Sequence, residues 1–254
     1  GDAATPREKI GRAARILAPC GVAMLLALSL LASGTGLLTW QPSAYAHQLS
    51  VARASTPLLY DPLTSDAGVW PANTSDPNRS HTFSNGAYTL NSQDDYDVSA
   101  LERRVIGDGV LQVTLRYTTD FDLNTAGLIL RTDEASHTKL VFVITPSGEW
   151  HLYRLALDGQ VNSWARENQL MYEGVLGPIG AIHQGLGATN QLAVLMRGNA
   201  YAFFINDQYV GCYRDDGGPT RGYVGMYVGS YGGIASFRDF GVFPVPPPTL
   251  LAPI

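Results

Sequence analysis

Several groups of residues in this chain have types and spacing suited to chemistry. Along Glu149 to Leu157, strand alternation sets Glu149, His151, Tyr153 and Leu155 on one face. Trp150, Leu152 and Arg154 fall on the other. Either face could engage a sugar, because an aromatic ring stacks on a pyranose while charged groups hydrogen-bond its hydroxyls. Arg131, at the end of an apolar run, adds a bidentate donor, and Trp164 adds a further ring. The plainer reading puts Trp150 or Tyr153 in a core, with the polar neighbours at a sheet rim. A second group is acidic: Asp94, Asp95 and Asp97 in one loop, Asp215 and Asp216 before Gly217-Gly218 in another. Calcium takes six to eight oxygen ligands, and such loops could supply several. Neither has EF-hand spacing, and short Asp clusters also serve as ordinary solvated turns. His47, His81, His137, His151 and His183 form no His-Glu-x-x-His pattern, so a transition metal is not expected. There is no Gly-x-Ser-x-Gly elbow, P-loop or dinucleotide fingerprint, and no organic cofactor is expected.

The elements that must position these groups read as β-structure. Val110 to Thr118 alternates, with Leu111, Val113, Leu115 and Tyr117 opposed to Gln112, Thr114 and Arg116. Gly127 to Arg131 and Lys139 to Thr145 are apolar on both faces, as strands inside stacked sheets are. Asn85-Gly86 predicts a hairpin turn, and Pro146-Ser147-Gly148, Asp158-Gly159, Arg197-Gly198-Asn199 and Asn206-Asp207 separate further short runs. Tyr201 to Ile205, Gln208 to Tyr213, Tyr223 to Val228 and Ile234 to Phe243 complete the series, while Arg166 to Thr189 reads as irregular. No amphipathic helix stands out beyond the N-terminal region. The expectation is an all-β, two-sheet antiparallel sandwich over residues 57–243. The Pro-rich tail 244–254 should be extended, either a linker or a strip docked on a partner.

With 254 residues, 15% charged and a net charge of −5, the chain is neither disordered nor footprinted for nucleic acid. Charge is unevenly placed. Residues 1–15 carry four basic side chains against two acidic ones, none is charged from Ile16 to Ala52, and 13 basic face 20 acidic thereafter. At 1.5 Å per residue, Ile16 to Leu38 would span about 34 Å, enough for a bilayer core. Trp40 and Tyr45 stand where an interfacial belt would be. A transmembrane helix over 16–40 therefore places the basic segment in the cytoplasm and the sandwich outside, with 41–56 as a linker. The alternative is a signal peptide cleaved after Ala46, at Ala44-Tyr45-Ala46, which secretes the sandwich. Both export it. Leu17-Ala18-Pro19-Cys20 is a poor lipobox, and Gly1 with Thr5 only loosely fits myristoylation. Cys20 and Cys212 fall on different sides of this division, so no pairing within the chain is expected, and Cys212 reads as a small buried apolar residue. Asn73-Thr74-Ser75 and Asn78-Arg79-Ser80 are sequons, meaningful in a eukaryotic secretory pathway.

Several stretches resemble concanavalin A-like lectin/glucanase jelly rolls. They are Leu58-Leu59-Tyr60-Asp61-Pro62-Leu63, Ala126-Gly127-Leu128-Ile129-Leu130-Arg131, Tyr201-Ala202-Phe203-Phe204-Ile205-Asn206 with Val210, Gly222-Tyr223-Val224-Gly225-Met226-Tyr227 and Phe237-Arg238-Asp239-Phe240-Gly241-Val242. The look is closest to the laminin-G-like and 3-keto-disaccharide-hydrolase-like branches and covers about residues 57–243. The resemblance implies two antiparallel sheets, one curved, with glycans often held on the concave face. It also implies, for hydrolytic members, a Glu-x-Asp-x-x-Glu strand. Glu102, Glu134, Glu149, Glu167 and Glu173 are scattered here, and none opens such a motif.

Three classes of function follow. The first is a membrane-tethered glycan-binding or adhesion module taking carbohydrate or a protein surface. The second is an accessory subunit whose helix packs in a larger membrane complex through Ala23 and Ala27, Ser29 and Ser33, or Ala32 and Gly36. The third is a glycoside-active enzyme, which the missing carboxylate strand disfavours.

Overall fold

The computed structural model describes residues 42–76, 78–92, 97–119, 125–133, 138–156, 169–174, 180–229 and 233–247. The 16–40 segment lies outside these residues. Among the described residues no helix is long and apolar enough to cross a membrane.

Among the described residues one helix, α1 (Pro42–Arg53), precedes fourteen strands. These are β1 (Leu59–Asp61), β2 (Arg79–Ser84), β3 (Ala87–Ser92), β4 (Val98–Leu101), β5 (Gly109–Tyr117), β6 (Ala126–Asp133) and β7 (Thr138–Ile144), then β8 (Trp150–Ala156), β9 (Gln169–Gly174), β10 (Thr189–Arg197), β11 (Ala200–Ile205), β12 (Gln208–Arg214), β13 (Tyr223–Val228) and β14 (Gly233–Phe243). They form an eight-stranded sheet ordered β12-β11-β10-β5-β14-β3-β2, with β1 also on β14, and a six-stranded sheet ordered β4-β13-β6-β7-β8-β9. All pairings are antiparallel. The all-β sandwich expected from the alternating runs is the architecture found.

Local chemistry sets the register. Asn85 and Gly86 both take positive φ (53° and 65°), the geometry of a two-residue hairpin turn, and Ser84 pairs with Ala87. Between the sheets, Leu111, Val113 and Leu115 of β5 meet Leu128, Leu130, Leu140 and Phe142 of β6 and β7 in one buried core. Tyr117 fastens the sheets to each other. Its hydroxyl donates to Ile144 O and accepts from Ala126 N at 3.1 Å, and burial pushes its pKa up. Along the six-stranded sheet the opposite parity points outward. Ile129, Val141, Val143, Leu155 and Tyr227 form a separate buried cluster there. Lys139, also on that face, pairs with Asp97 and donates to Ser99 Oγ at 3.0 Å. A Cβ on Gly127 would sit 2.0 Å from Phe142 O, so only glycine lets β6 and β7 close at that point.

Four sequence expectations need correction. Residues 42–53 are a helix instead of linker. Tyr45, Leu49 and Ala52, spaced for one helix face, pack on Val110, Ala193, Phe204 and Phe243 on the outer face of the larger sheet. Arg53 then reaches Gln112 Oε1 at 2.7 Å, Gln191 Oε1 at 2.5 Å and the Asp207 carboxylate. Gln169–Gly174, placed inside an irregular stretch, is a strand, with Leu170 opposite Tyr153 in its ladder to β8. The tail joins the fold as far as Pro246: Val245 packs on the α1 cluster, and Pro246 O accepts from Arg197 Nη2 at 2.6 Å. Finally, Cys212 is half-buried against the α1 cluster instead of fully buried.

His81 of β2 also ties the sheets, donating through Nε2 to Ser99 O of β4 at 3.2 Å. Burial holds its imidazole below the ordinary histidine pKa, partly offset by that bond, and Nδ1 is buried without a partner. The folded state thus disfavours the imidazolium, and its contribution is intact above the unfolded pKa of about 6.5 and lost as pH falls below it. Urea unfolding at pH 7.5 and pH 5.5 should show lower stability at the acid pH, with a smaller difference in His81→Phe.

Candidate functional site

Alternation along β6 would turn Arg131 outward, after core-facing Leu130. The structure does the reverse. Arg131 has φ 42°, and the β6–β7 register shifts between Leu130 and Asp133, so a bulge re-aims the side chain toward the end of the sandwich interior. The guanidinium is fully buried. It donates to Gly198 O, to Gly107 O at 2.8 Å and to Asp108 Oδ1 at 3.1 Å, and it lies 5.5 Å from the centre of the Tyr201 ring. The sequence expectation of a free bidentate donor is therefore corrected: its Nη groups are taken by the loops before β5 and after β10. A side-chain hydrogen bond joins Arg131 to Tyr201 as well.

Beside it stands Asp215, 5% exposed, after the end of β12. Its Oδ1 accepts from Arg154 Nη2 at 2.5 Å, whereas Oδ2 is buried and unpartnered. Gly218 N donates to Asp215 O at 2.9 Å, closing the loop that carries the carboxylate. Arg131, Arg154, Tyr201 and Asp215 together line a small cleft, with Leu130 and Leu140 as its apolar wall and Pro219 at its edge. Tyr213 hydrogen-bonds Arg154 from the side. Desolvation raises the pKa of both phenols, an effect that the Arg131 charge opposes at Tyr201 and the bond to Arg154 opposes at Tyr213. Both hydroxyls stay protonated at neutral pH. The cleft measures about 10 Å³, room for about one water-sized group. A single hydroxyl is what such a space could admit beside the Arg154–Asp215 pair and the Tyr201 ring.

The remaining candidates separate. Trp150, 1% exposed, is core: it packs against Phe142 (5.8 Å, edge-on) and Phe203 (5.9 Å) between the sheets, so it cannot meet a ligand. Glu149, His151 and Tyr153 do share the outer face of the smaller sheet. Glu149 Oε2 lies 3.5 Å from His151 Nε2, and the His151 and Tyr153 rings stack at 5.4 Å. The Glu149 side chain is 47% exposed, and His151 is buried. In register, His151 faces Glu173 of β9, a juxtaposition that sequence spacing did not reveal. Trp164, Asp94 and Asp95 lie outside the described residues. Of the other acidic candidates, Asp97 is held by Lys139, Asp215 by Arg154, and Asp216 accepts from Asn199 at 3.4 Å. Among the described residues no three His, Cys, Asp or Glu side chains converge as a metal site. Tyr201 and Tyr213 were missed as site residues because each sits in a strand whose alternation marks it as ordinary core.

No family model matches the chain, and no curated protein does. Solved structures share its fold. The carbohydrate binding module CBM66 from Bacillus subtilis superposes with a TM-score of 0.53 at 11% identity, over 69% of this chain and 95% of that one. A putative glycosyl hydrolase from Parabacteroides distasonis gives 0.50 at 10% identity, over 79% and 97%. The class is thereby that of two-sheet antiparallel β-sandwiches, the fold expected from the sequence.

Removing a ring from the centre of the core tests the split along β8. Trp150→Ala should lower stability by about 3–5 kcal/mol in denaturant unfolding, whereas Tyr153→Ala on the outer face should cost less.

Proposed function

We propose that the chain is an exported carbohydrate-binding module, tethered to the membrane by residues 16–40, that holds its ligand without hydrolysing it. The observation that carries this reading is the two-sheet sandwich itself, a fold shared with a structure described as a carbohydrate binding module. The end cleft, about 10 Å³, adds room for about one hydroxyl oxygen beside the Arg154–Asp215 pair and Tyr201. A sugar hydroxyl seated there would hydrogen-bond a charged group, a contact worth about 1.5–3 kcal/mol.

Calorimetry of the purified full chain against a panel of oligosaccharides should show binding without product. Asp215→Asn keeps the volume and an oxygen for Arg154, so the variant should fold yet bind at least about tenfold more weakly. A panel with no binder overturns the reading. Turnover abolished by Glu149→Gln replaces it with an enzyme acting on the outer face.

The tether rests on the uncharged 16–40 segment and the basic residues before it. Protease added to intact cells should remove the sandwich. Protection of the sandwich contradicts this orientation, and mature protein beginning at His47 indicates a cleaved signal.

A further inference from the structure

Ala44-Tyr45-Ala46 matches a signal-peptide cleavage motif in sequence, yet in the fold it lies inside α1. Its central residue is a packing anchor. Tyr45 is 5% exposed, and its ring lies parallel to that of Tyr209 of β12, with 9° between the planes and 5.2 Å between the centres. Tyr209 in turn meets Phe204 of β11 edge-on at 5.9 Å. Leu49 and Ala52, also buried, continue the same helix face, and the three cover Val110, Ala193, Leu195, Ala202, Phe204 and Phe243 on the larger sheet. Alanine is the best helix former, so the small residues that match a cleavage motif equally favour this helix.

The two uses of these residues exclude each other. A peptidase that cuts after Ala46 discards them. The sheet uses them as the first turn of α1, with the largest ring of its apolar face. A chain beginning at His47 would keep only His47–Arg53 of the helix, about two turns, too short to hold without strong packing. It would also uncover Tyr209 and Phe204. Arg53, bonded to Gln112, Gln191 and Asp207, would then fasten the remnant at its last turn alone. Resting on the export reading above, we propose that the exported domain begins at Pro42 and that the chain is not processed after Ala46, residues 42–46 being kept because Tyr45 is part of the sandwich. This holds whatever carbohydrate the domain takes.

The test expresses the full chain in an exporting host and determines the N-terminus of the exported product, by intact mass and sequencing, in the membrane fraction and in the medium. The expected product retains Pro42–Ala46. A product beginning at His47 overturns the proposal. A product that retains these residues but is found in the medium, cut before Pro42, leaves the proposal standing and removes the tether. Ala46→Leu, at an exposed position that the motif requires to be small, should leave the N-terminus where it was, and a longer product from this variant overturns the proposal. A second measurement reads the packing directly. Tyr45→Ala and Tyr209→Ala should each lower the thermal midpoint of the full chain by a few degrees, and the double variant should lose less than the two shifts added. Additive shifts, or none from Tyr45→Ala, overturn the claim that the sheet needs Tyr45, wherever the product begins.

Discussion

A guanidinium shut inside a sandwich must find acceptors, and the end of this fold is organised around that demand at Arg131. Leaving such a charge unpaired would cost several kcal/mol. The chain meets the requirement with backbone: Gly198 O from the β10–β11 turn, Gly107 O from the approach to β5, and the Asp108 carboxylate. Asp108 Oδ1 also accepts from Gly198 N at 2.8 Å, so one carboxylate fixes both the arginine and the turn that receives it. The bulge that aims Arg131 inward breaks ladder regularity on both sides, with register shifts against β7 and β13. Those acceptors belong to the larger sheet and its loops, while Arg131 belongs to the smaller. The ion therefore closes one end of the sandwich much as Tyr117, bonded to Ile144 and Ala126, closes it farther along β5.

Once that end is pinned, packing limits where a ligand can go. The space between the sheets is filled by Phe142, Trp150, Phe203, Phe237 and Phe240, all essentially without exposure. The outer face of the larger sheet is taken by α1, whose Tyr45 ring stacks on Tyr209 at 5.2 Å. Arg53 holds the last turn of that helix to the sheet through two glutamines and Asp207. On the outer face of the smaller sheet, Ile129, Val141 and Val143 are buried, and Lys139 is committed to Asp97. Among the described residues the end cleft is one of the places left where polar side chains and an aromatic ring meet an opening.

Much of this was legible in the sequence, and the gaps have physical causes. Local signals carried the strands: Asn85-Gly86 is a hairpin turn because both residues tolerate positive φ, and alternation split Trp150 from His151 correctly. Alternation failed at Arg131 because a bulge adds a residue to one strand without marking itself in residue type. The α1 helix was overlooked because its apolar face is only Tyr45, Leu49 and Ala52, too sparse to stand out until the sheet beneath supplies the contacts. Arg131 and Asp215 were both singled out, but for different reasons, one as a sugar donor and the other as a calcium ligand. Their meeting is tertiary, made by the β7–β8 ladder that brings Arg154 opposite Leu140, and nothing local in the sequence encodes it.

The placement of carboxylates bears on chemistry as well as recognition. Glycoside hydrolysis in this architecture needs two carboxyl groups flanking one bond, about 5–10 Å apart, one able to give a proton and the other to attack or to activate water. Among the described side chains the acidic groups do not converge in that way. Asp215 is oriented by Arg154 within the end cleft. Glu149 stands on the outer face of the smaller sheet with His151 as its neighbour, and the sheet itself separates the two. Glu102 is buried and turned to Arg104. A hydroxyl that meets Asp215 Oδ2 therefore encounters an acceptor held by a guanidinium, with a second guanidinium nitrogen beside it and no further carboxylate lining the cleft. On the carbohydrate reading proposed above, that arrangement would hold a hydroxyl in place, and hydrolysis at this end would need a proton-carrying group from outside the described residues.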